Sequence, residues 1–127
     1  RALFSEAARL AGVPQSWANS SGLHNILRRE SGGVVGKPNY TYGSRRNSPE
    51  GVAAIHNELR NGQITARSSA TGLGQLLLSN VDRYYPNGRA GIGDPVQEAA
   101  GMLSYIKDRY GNPDNAWRLY GTRHEGY

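Results

Sequence analysis

The chain has 127 residues, of which 37% are hydrophobic and 20% charged, enough for one globular core and too little for a second. It contains no cysteine, which excludes a disulfide scaffold, a thiolate metal site and a cysteine nucleophile. The net charge of +5 favours an anionic partner such as nucleic acid, phospholipid or an acidic polysaccharide, although a basic surface with no specific partner accounts for it too. Seventeen glycines, about 13% against an ordinary 7%, add the expectation of long loops. No run approaches the eighteen or so apolar residues of a membrane span, and no basic start, apolar run and small-residue cleavage site suggests a signal peptide. The chain opens at Arg1 and reads as helical from Ala2, so residues 1–127 are expected to be a single domain cut from a longer polypeptide, monomeric when isolated.

Helix signals dominate in chain order, and no internal repeat interrupts them. Ser5 is a predicted cap for a first helix with Ala7, Ala8 and Ala11 on its apolar side and Gly12 as its stop. A brief helical turn follows Pro14, through Trp17. Ser20 or Ser21 then caps a helix whose Leu23, Ile26, Leu27 and Glu30 fall at i, i+3, i+4 and i+7, one face, ended by Gly32–Gly33. Val34 to Arg46 reads as a loop or short irregular hairpin. Ser48-Pro49-Glu50 starts a helix with Val52, Ile55 and Leu59 as its stripe and Asn61-Gly62 as its stop. After a polar loop, the patch from Gly72 to Leu78 leads into a short helix ended by Pro86-Asn87-Gly88. The clearest helix begins at Asp94, with Pro95 at its first position and Gln97 completing a capping-box-like pattern. Val96, Ala99, Ala100, Leu103, Ile106 and Tyr110 trace one face of it, and Gly111 ends it. Asn112-Pro113 opens a last short helix carrying Ala116, Trp117 and Tyr120. The expected fold class is mostly α, with long loops and at most a small irregular hairpin.

Chemistry narrows by elimination. His24, His56 and His124 share no ligand spacing, and neither H-E-x-x-H nor an EF-hand carboxylate series occurs, so neither a metal nor another cofactor is expected. No G-x-S-x-G elbow appears. Gly72-Leu73-Gly74 lacks the further glycine, preceding strand and Lys-Ser/Thr of a phosphate loop. Glu30 remains, an acid closing an apolar helical face. Turned inward, it would lose hydration and hold its proton to higher pH, as a glycosidic proton donor must. Turned outward, it would be an ordinary solvated residue at a fraying helix end.

The run Arg29-Glu30-Ser31-Gly32-Gly33 resembles the first motif of the lytic transglycosylases and goose-type lysozymes. Ala70-Thr71-Gly72-Leu73-Gly74-Gln75-Leu76 resembles their second motif, commonly Gly-Leu-Met-Gln. The helix from Pro95 to Ile106 is similar to a family helix, and Ala116-Trp117-Arg118-Leu119-Tyr120 stands where the third, tyrosine-bearing motif belongs. The order agrees over roughly residues 2–127, and the ending His124-Glu125-Gly126-Tyr127 looks most like domains embedded in phage tail or virion proteins. The resemblance implies a lysozyme-like domain that cleaves the β-1,4 bond between N-acetylmuramic acid and N-acetylglucosamine of peptidoglycan without water, leaving 1,6-anhydromuramic ends. Glu30 would serve as acid and then base, which sets aside the usual two-carboxylate rule. Tyr120 would orient Glu30. Ser31 would contact substrate or steady the carboxyl, or simply be a polar helix-end residue. Gln75 would contact sugar or peptide, and Gly72 and Gly74 would admit the saccharide closely, or the three form a plain tight turn. Gly121-Thr122 stands where the family has Asn-x-Gly and Gly74 where it commonly has Met, two departures from the pattern that bear on the asparagine contact and on the width of the cleft.

Tyr40, Tyr42, Tyr84, Tyr85 and Tyr105 could face a pyranose ring or pack internally. Glu50 or Glu58, opposite Glu30, would instead activate water and make the domain a hydrolytic muramidase. A non-catalytic wall-binding or structural module of a tail protein is the rival from another class. Nucleic-acid binding rests only on charge and on the short helices from Pro14 to Arg29, without a recognition helix, and is not expected. Peptidoglycan is thus the expected partner, met by a virion-associated or exported protein.

Overall fold

A computed structural model describes residues 2–122; the tail motif from His124 to Tyr127 lies outside the described residues. The chain is mostly α-helical, 64% in helix. Six α-helices follow one another: α1 (Ala2–Ala11), α2 (Ser21–Glu30), α3 (Pro49–Arg60), α4 (Leu78–Tyr84), α5 (Pro95–Tyr110) and α6 (Pro113–Arg118). Tighter 3-10 segments span Gln15–Asn19, Tyr40–Asn47 and Gly88–Gly91. Among the described residues no helix is long and apolar enough to cross a membrane.

Local chemistry accounts for most helix starts. The Ser20 hydroxyl accepts from the Leu23 amide, Ser48 from Gly51, the Asp94 carboxylate from Gln97 and the Asn112 amide oxygen from Asn115. Each satisfies a first-turn N–H that the helix itself leaves unpaired, and prolines follow three of these caps, where a missing N–H costs nothing. Ser5 differs from expectation: α1 already runs from Ala2, so Ser5 is an interior residue of a helix carried by strong helix formers.

Residues 34–39 form the expected irregular loop, while 40–46 departs from it. Asn39 accepts from both the Thr41 amide and its hydroxyl, an Asx turn that winds Tyr40–Asn47 into 3-10 turns, broken at Gly43 (φ 61°, ψ −137°). Among the described residues, extended pairing reduces to isolated bridges between Pro38 and Thr71 and between Thr71 and Leu76. The second of these closes the tight turn Gly72–Gln75.

Helix α5 is the centre. Expected to bury one stripe, it buries a much wider face, including Glu98, Gly101, Met102 and Tyr105, because α1, α4 and α6 all pack on it; Lys107 and Asp108 keep its remaining polar face exposed. Phe4 and Ala7 of α1, Leu23 and Ile26 of α2, Ile55 and Leu59 of α3 and Val81 of α4 join Leu103 and Ile106 in one core. Each fully buried Leu or Ile contributes about 1.5–3 kcal/mol.

Within that apolar centre sits one charge-bearing group. Glu98 is fully buried. Its Oε1 accepts from the Gly36 amide at 2.8 Å and the Leu73 amide at 3.0 Å, and its Oε2 from the Gly93 amide at 2.7 Å. Burial raises its pKa above the usual carboxyl range, and the three amides oppose that rise. Gly72 lies against the same group: a Cβ there would sit 2.7 Å from the Glu98 carboxyl and 2.8 Å from the Tyr85 hydroxyl, with φ at +79°.

Glu98→Ala should therefore strand three N–H donors, those of Gly36 and Leu73 buried and that of Gly93 part-buried, and cost about 3 kcal/mol or more, lowering the melting temperature by ten degrees or more on the scale of about 4 °C per kcal/mol; a melt within about two degrees of wild type would show that the three loops are held by something else. Gly72→Ala should cost distinctly more than Gly12→Ala. Both have positive φ, but a Cβ on Gly12 meets nothing within 4 Å, leaving only the left-handed backbone term of about 1–2 kcal/mol. Equal losses in denaturant melts would remove the steric argument at Gly72.

Candidate functional site

Glu30 is the last residue of α2, and Ser31, Gly32 (φ 64°) and Gly33 (φ 82°) turn the chain away behind it. Helix α6 lies across α2. The approach requires glycine at Gly22, where a Cβ would fall 2.8 Å from the Pro113 carbonyl oxygen. Tyr120, expected on the last helix, lies two residues past the end of α6, which stops at Arg118 with Leu119 as its cap, and the crossing brings it over the C-terminal turn of α2. There the Tyr120 hydroxyl donates to Glu30 Oε2, joining residues ninety positions apart in the chain. The Trp117 ring supports Tyr120 at 5.3 Å between centroids, and the Arg29 guanidinium lies 5.8 Å over the tyrosine face, a cation–π distance.

Glu30 is half-buried. Lost hydration raises its pKa above the usual carboxyl value, and the Tyr120 hydrogen bond and the Arg29 charge pull in the opposite direction without cancelling the rise. The Tyr120 phenol is itself pushed up, by burial first and then by its bond to Glu30, so it stays a donor. A carboxyl that keeps its proton to higher pH and holds one fixed orientation has the properties of a general acid.

The other expected site residues have different positions. Ser31 is fully buried; its hydroxyl donates to the Leu27 carbonyl at 3.3 Å and accepts from the Gly33 amide at 3.2 Å. It fastens the turn behind Glu30 and does not touch the Glu30 carboxyl. Gly72, Gly74 and Gln75 form the tight turn closed by Thr71 and Leu76, whose amides and carbonyls pair at 3.1 and 3.2 Å. Gln75 adopts φ 49°, uncommon for a side-chain-bearing residue. Its Nε2 donates to the carbonyls of Lys37 at 2.8 Å and Gly72 at 3.0 Å, and the Gly72 amide donates to the same Lys37 carbonyl at 2.9 Å. Gln75 thus binds the second motif to the segment leaving the first.

Of the five tyrosines considered as sugar platforms, Tyr40 alone is widely open, 72% exposed. Tyr42, Tyr85 and Tyr105 are buried, and Tyr84 packs edge-on to Tyr105 with its hydroxyl on Asp108. Glu58 is held by the Arg45 guanidinium and the Thr65 hydroxyl, which lower its pKa. Glu50 stands exposed in the first turn of α3. Among the described residues no three His, Asp or Glu side chains gather in a way that could hold a metal ion. The residue that sequence reasoning passed over is Glu98. The sequence offered little signal for it beyond an acid directly before Ala99 and Ala100, and its first-turn position disguised it as an ordinary dipole-favoured residue.

No family model matches the chain, and no solved structure does. It is similar to the uncharacterized protein YqbO of Bacillus subtilis (strain 168), 28% identical over 114 residues, which make up 90% of this chain and 6% of that protein. The chain thus spans a small part of its relative's length, and the likeness brings no activity with it.

The opposing effects on Glu30 give a signed expectation. Its Tyr120 bond stabilises the ionised carboxylate, so Tyr120→Phe should raise the Glu30 pKa further. Glu30 titration, followed by NMR of the side-chain carboxyl carbon, should move to higher pH in the variant. An unchanged or lower midpoint would mean that the hydroxyl does not contact the carboxylate in solution.

Proposed function

We propose that the domain cleaves the glycan strands of peptidoglycan between N-acetylmuramic acid and N-acetylglucosamine, as a lytic transglycosylase. The observation that carries this reading is the half-buried Glu30 carboxyl held by the Tyr120 hydroxyl, a pair supplied by the two motifs that resemble that family's acid and its orienting tyrosine. Protonated Glu30 gives its proton to the bridging oxygen as the bond from C1 breaks, with the substrate's own acetamido group assisting. The carboxylate left behind takes the proton of the muramoyl C6 hydroxyl, whose oxygen bonds to C1. The product is a 1,6-anhydro end, and no water is consumed.

A single carboxyl serves both steps, which suits a site where Glu58 is engaged by Arg45 and Thr65 and Glu98 by three backbone amides, while Glu50 stands exposed in the first turn of α3. In this reading the Gly72–Gln75 turn and exposed Tyr40 lie along the strand, and Ser31 acts through the turn it fastens. The place of action is the bacterial wall, reached by a virion or by export.

Glu30→Gln should abolish release of muropeptides from purified peptidoglycan, by a factor of about 10³ or more. It should leave the melting temperature unchanged or slightly higher. The sign follows from the raised pKa: ionising Glu30 costs the folded state stability as pH climbs from the usual carboxyl value to the raised one, and glutamine never ionises. Mass spectrometry of the wild-type products decides the chemistry. Anhydro ends support transglycosylation, reducing ends would overturn it in favour of a hydrolytic muramidase, and the absence of any product from folded protein would leave a wall-binding module. Lysis retained in the glutamine variant would remove Glu30 from the reaction.

A further inference from the structure

Directly beyond Gly33, the chain forms one wall of a groove of about 340 Å³. Val34, Val35 and Pro38 give it apolar walls, Val52 of α3 closes the far side, and Lys37 and Arg46 line it with positive charge. Among the described residues neither cation has an acidic partner. Arg46 has one hydrogen bond, from Nε to the Gly43 carbonyl at 3.2 Å, and none of the ion pairs involves Lys37 or Arg46. Its neighbour Arg45 differs, being spent on Glu58. Two unpaired cations over an apolar floor fit a ligand that carries carboxylates on a short, partly apolar backbone.

The groove also begins close to Glu30 along the chain. Val34 is four residues on from it, so their Cα atoms are at most about 15 Å apart at 3.8 Å per residue. The segment is not free to drift, because the Gly36 amide is fixed to Glu98 and the Lys37 carbonyl to Gly72 and Gln75. We infer that this groove binds the acidic peptide stem borne by a muramic acid residue of the strand, with Lys37 and Arg46 receiving its carboxylates. The inference rests on the proposed substrate and adds a second recognition element to it: the sugar backbone at Glu30, the peptide beside it.

The test uses binding, so that it does not depend on catalysis. Fluorescently labelled glycan strands, with stems intact or removed by an amidase, are titrated into the Glu30→Gln protein. The variant Lys37→Gln/Arg46→Gln, made in the same background, should bind intact strands about three- to tenfold more weakly and stripped strands as the parent does. Arg9→Gln, which removes a charge from a different cavity, lined by Glu6, Leu10 and Val96, should bind both as the parent does. Equal losses on both polymers, an equal loss from Arg9→Gln, no loss at all, or no binding of intact strands by the parent would overturn the groove assignment. Failure of the parent reading is separate and appears in the wild-type product spectrum. Anhydro products without stem-dependent binding retire the groove alone. Stem-dependent binding without products retires the chemistry alone.

Discussion

A single buried carboxylate organises the molecule. Glu98 reaches out of the first turn of α5 and takes hydrogen bonds from amides at positions 36, 73 and 93, one each from the three connections that meet at that end of the helix. A full charge in an apolar interior is tolerable only when its oxygens are saturated with donors, and here the donors are backbone groups that would themselves be costly to leave unpaired. The requirement runs both ways: the loops satisfy the acid, and the acid fixes the loops. Gly72 and the Tyr85 ring close around it, and the His56 imidazole contacts the Gly36 carbonyl at 2.7 Å, so the 34–38 segment is held from both faces.

From that anchor the candidate site follows in short steps. The 34–38 segment carries the Lys37 carbonyl, which holds the Gly72–Gln75 turn through two donors. Backward along the chain the same segment leads to Ser31, whose buried hydroxyl ties off the end of α2 and sets Glu30 at the rim. The second half of the site arrives independently, on α6. Packing and these backbone-directed hydrogen bonds supply positions, and the last contact, between the Tyr120 hydroxyl and the Glu30 carboxyl, joins two side chains in a part-buried setting. Arg29 acts on both partners: its charge favours the ionised carboxylate while its guanidinium covers the tyrosine ring.

What could be read in the sequence was what is local. The caps at Ser20, Ser48, Asp94 and Asn112 act within one turn, so residue identity at two or three adjacent positions determined them. The Leu23, Ile26, Leu27, Glu30 spacing put the acid on the inner side of α2, where it is half-buried. Ser5 misled because propensity over a whole helix outweighs one good capping residue. The stretch 40–47 misled because glycine, proline and asparagine mark a turn without saying whether successive turns will wind into a 3-10 helix. Glu98 was not legible, since its three partners are scattered over nearly sixty residues of sequence and offer only amides, which every residue has. The pairing of Glu30 with Tyr120 was suggested by resemblance to known motifs; no periodicity spans ninety residues.

That separation along the chain has a consequence in time. Helices α1 to α5 can bury most of the core before the last turn of chain has been made, since α6 adds only Pro113 and Ala116 to the fully buried set. The carboxyl at position 30 would exist early, in a nearly finished scaffold, without the phenol that orients it. Only when the residues around 120 have docked does the pair form. The arrangement that fixes this carboxyl is therefore completed late in chain order, after the scaffold that carries it.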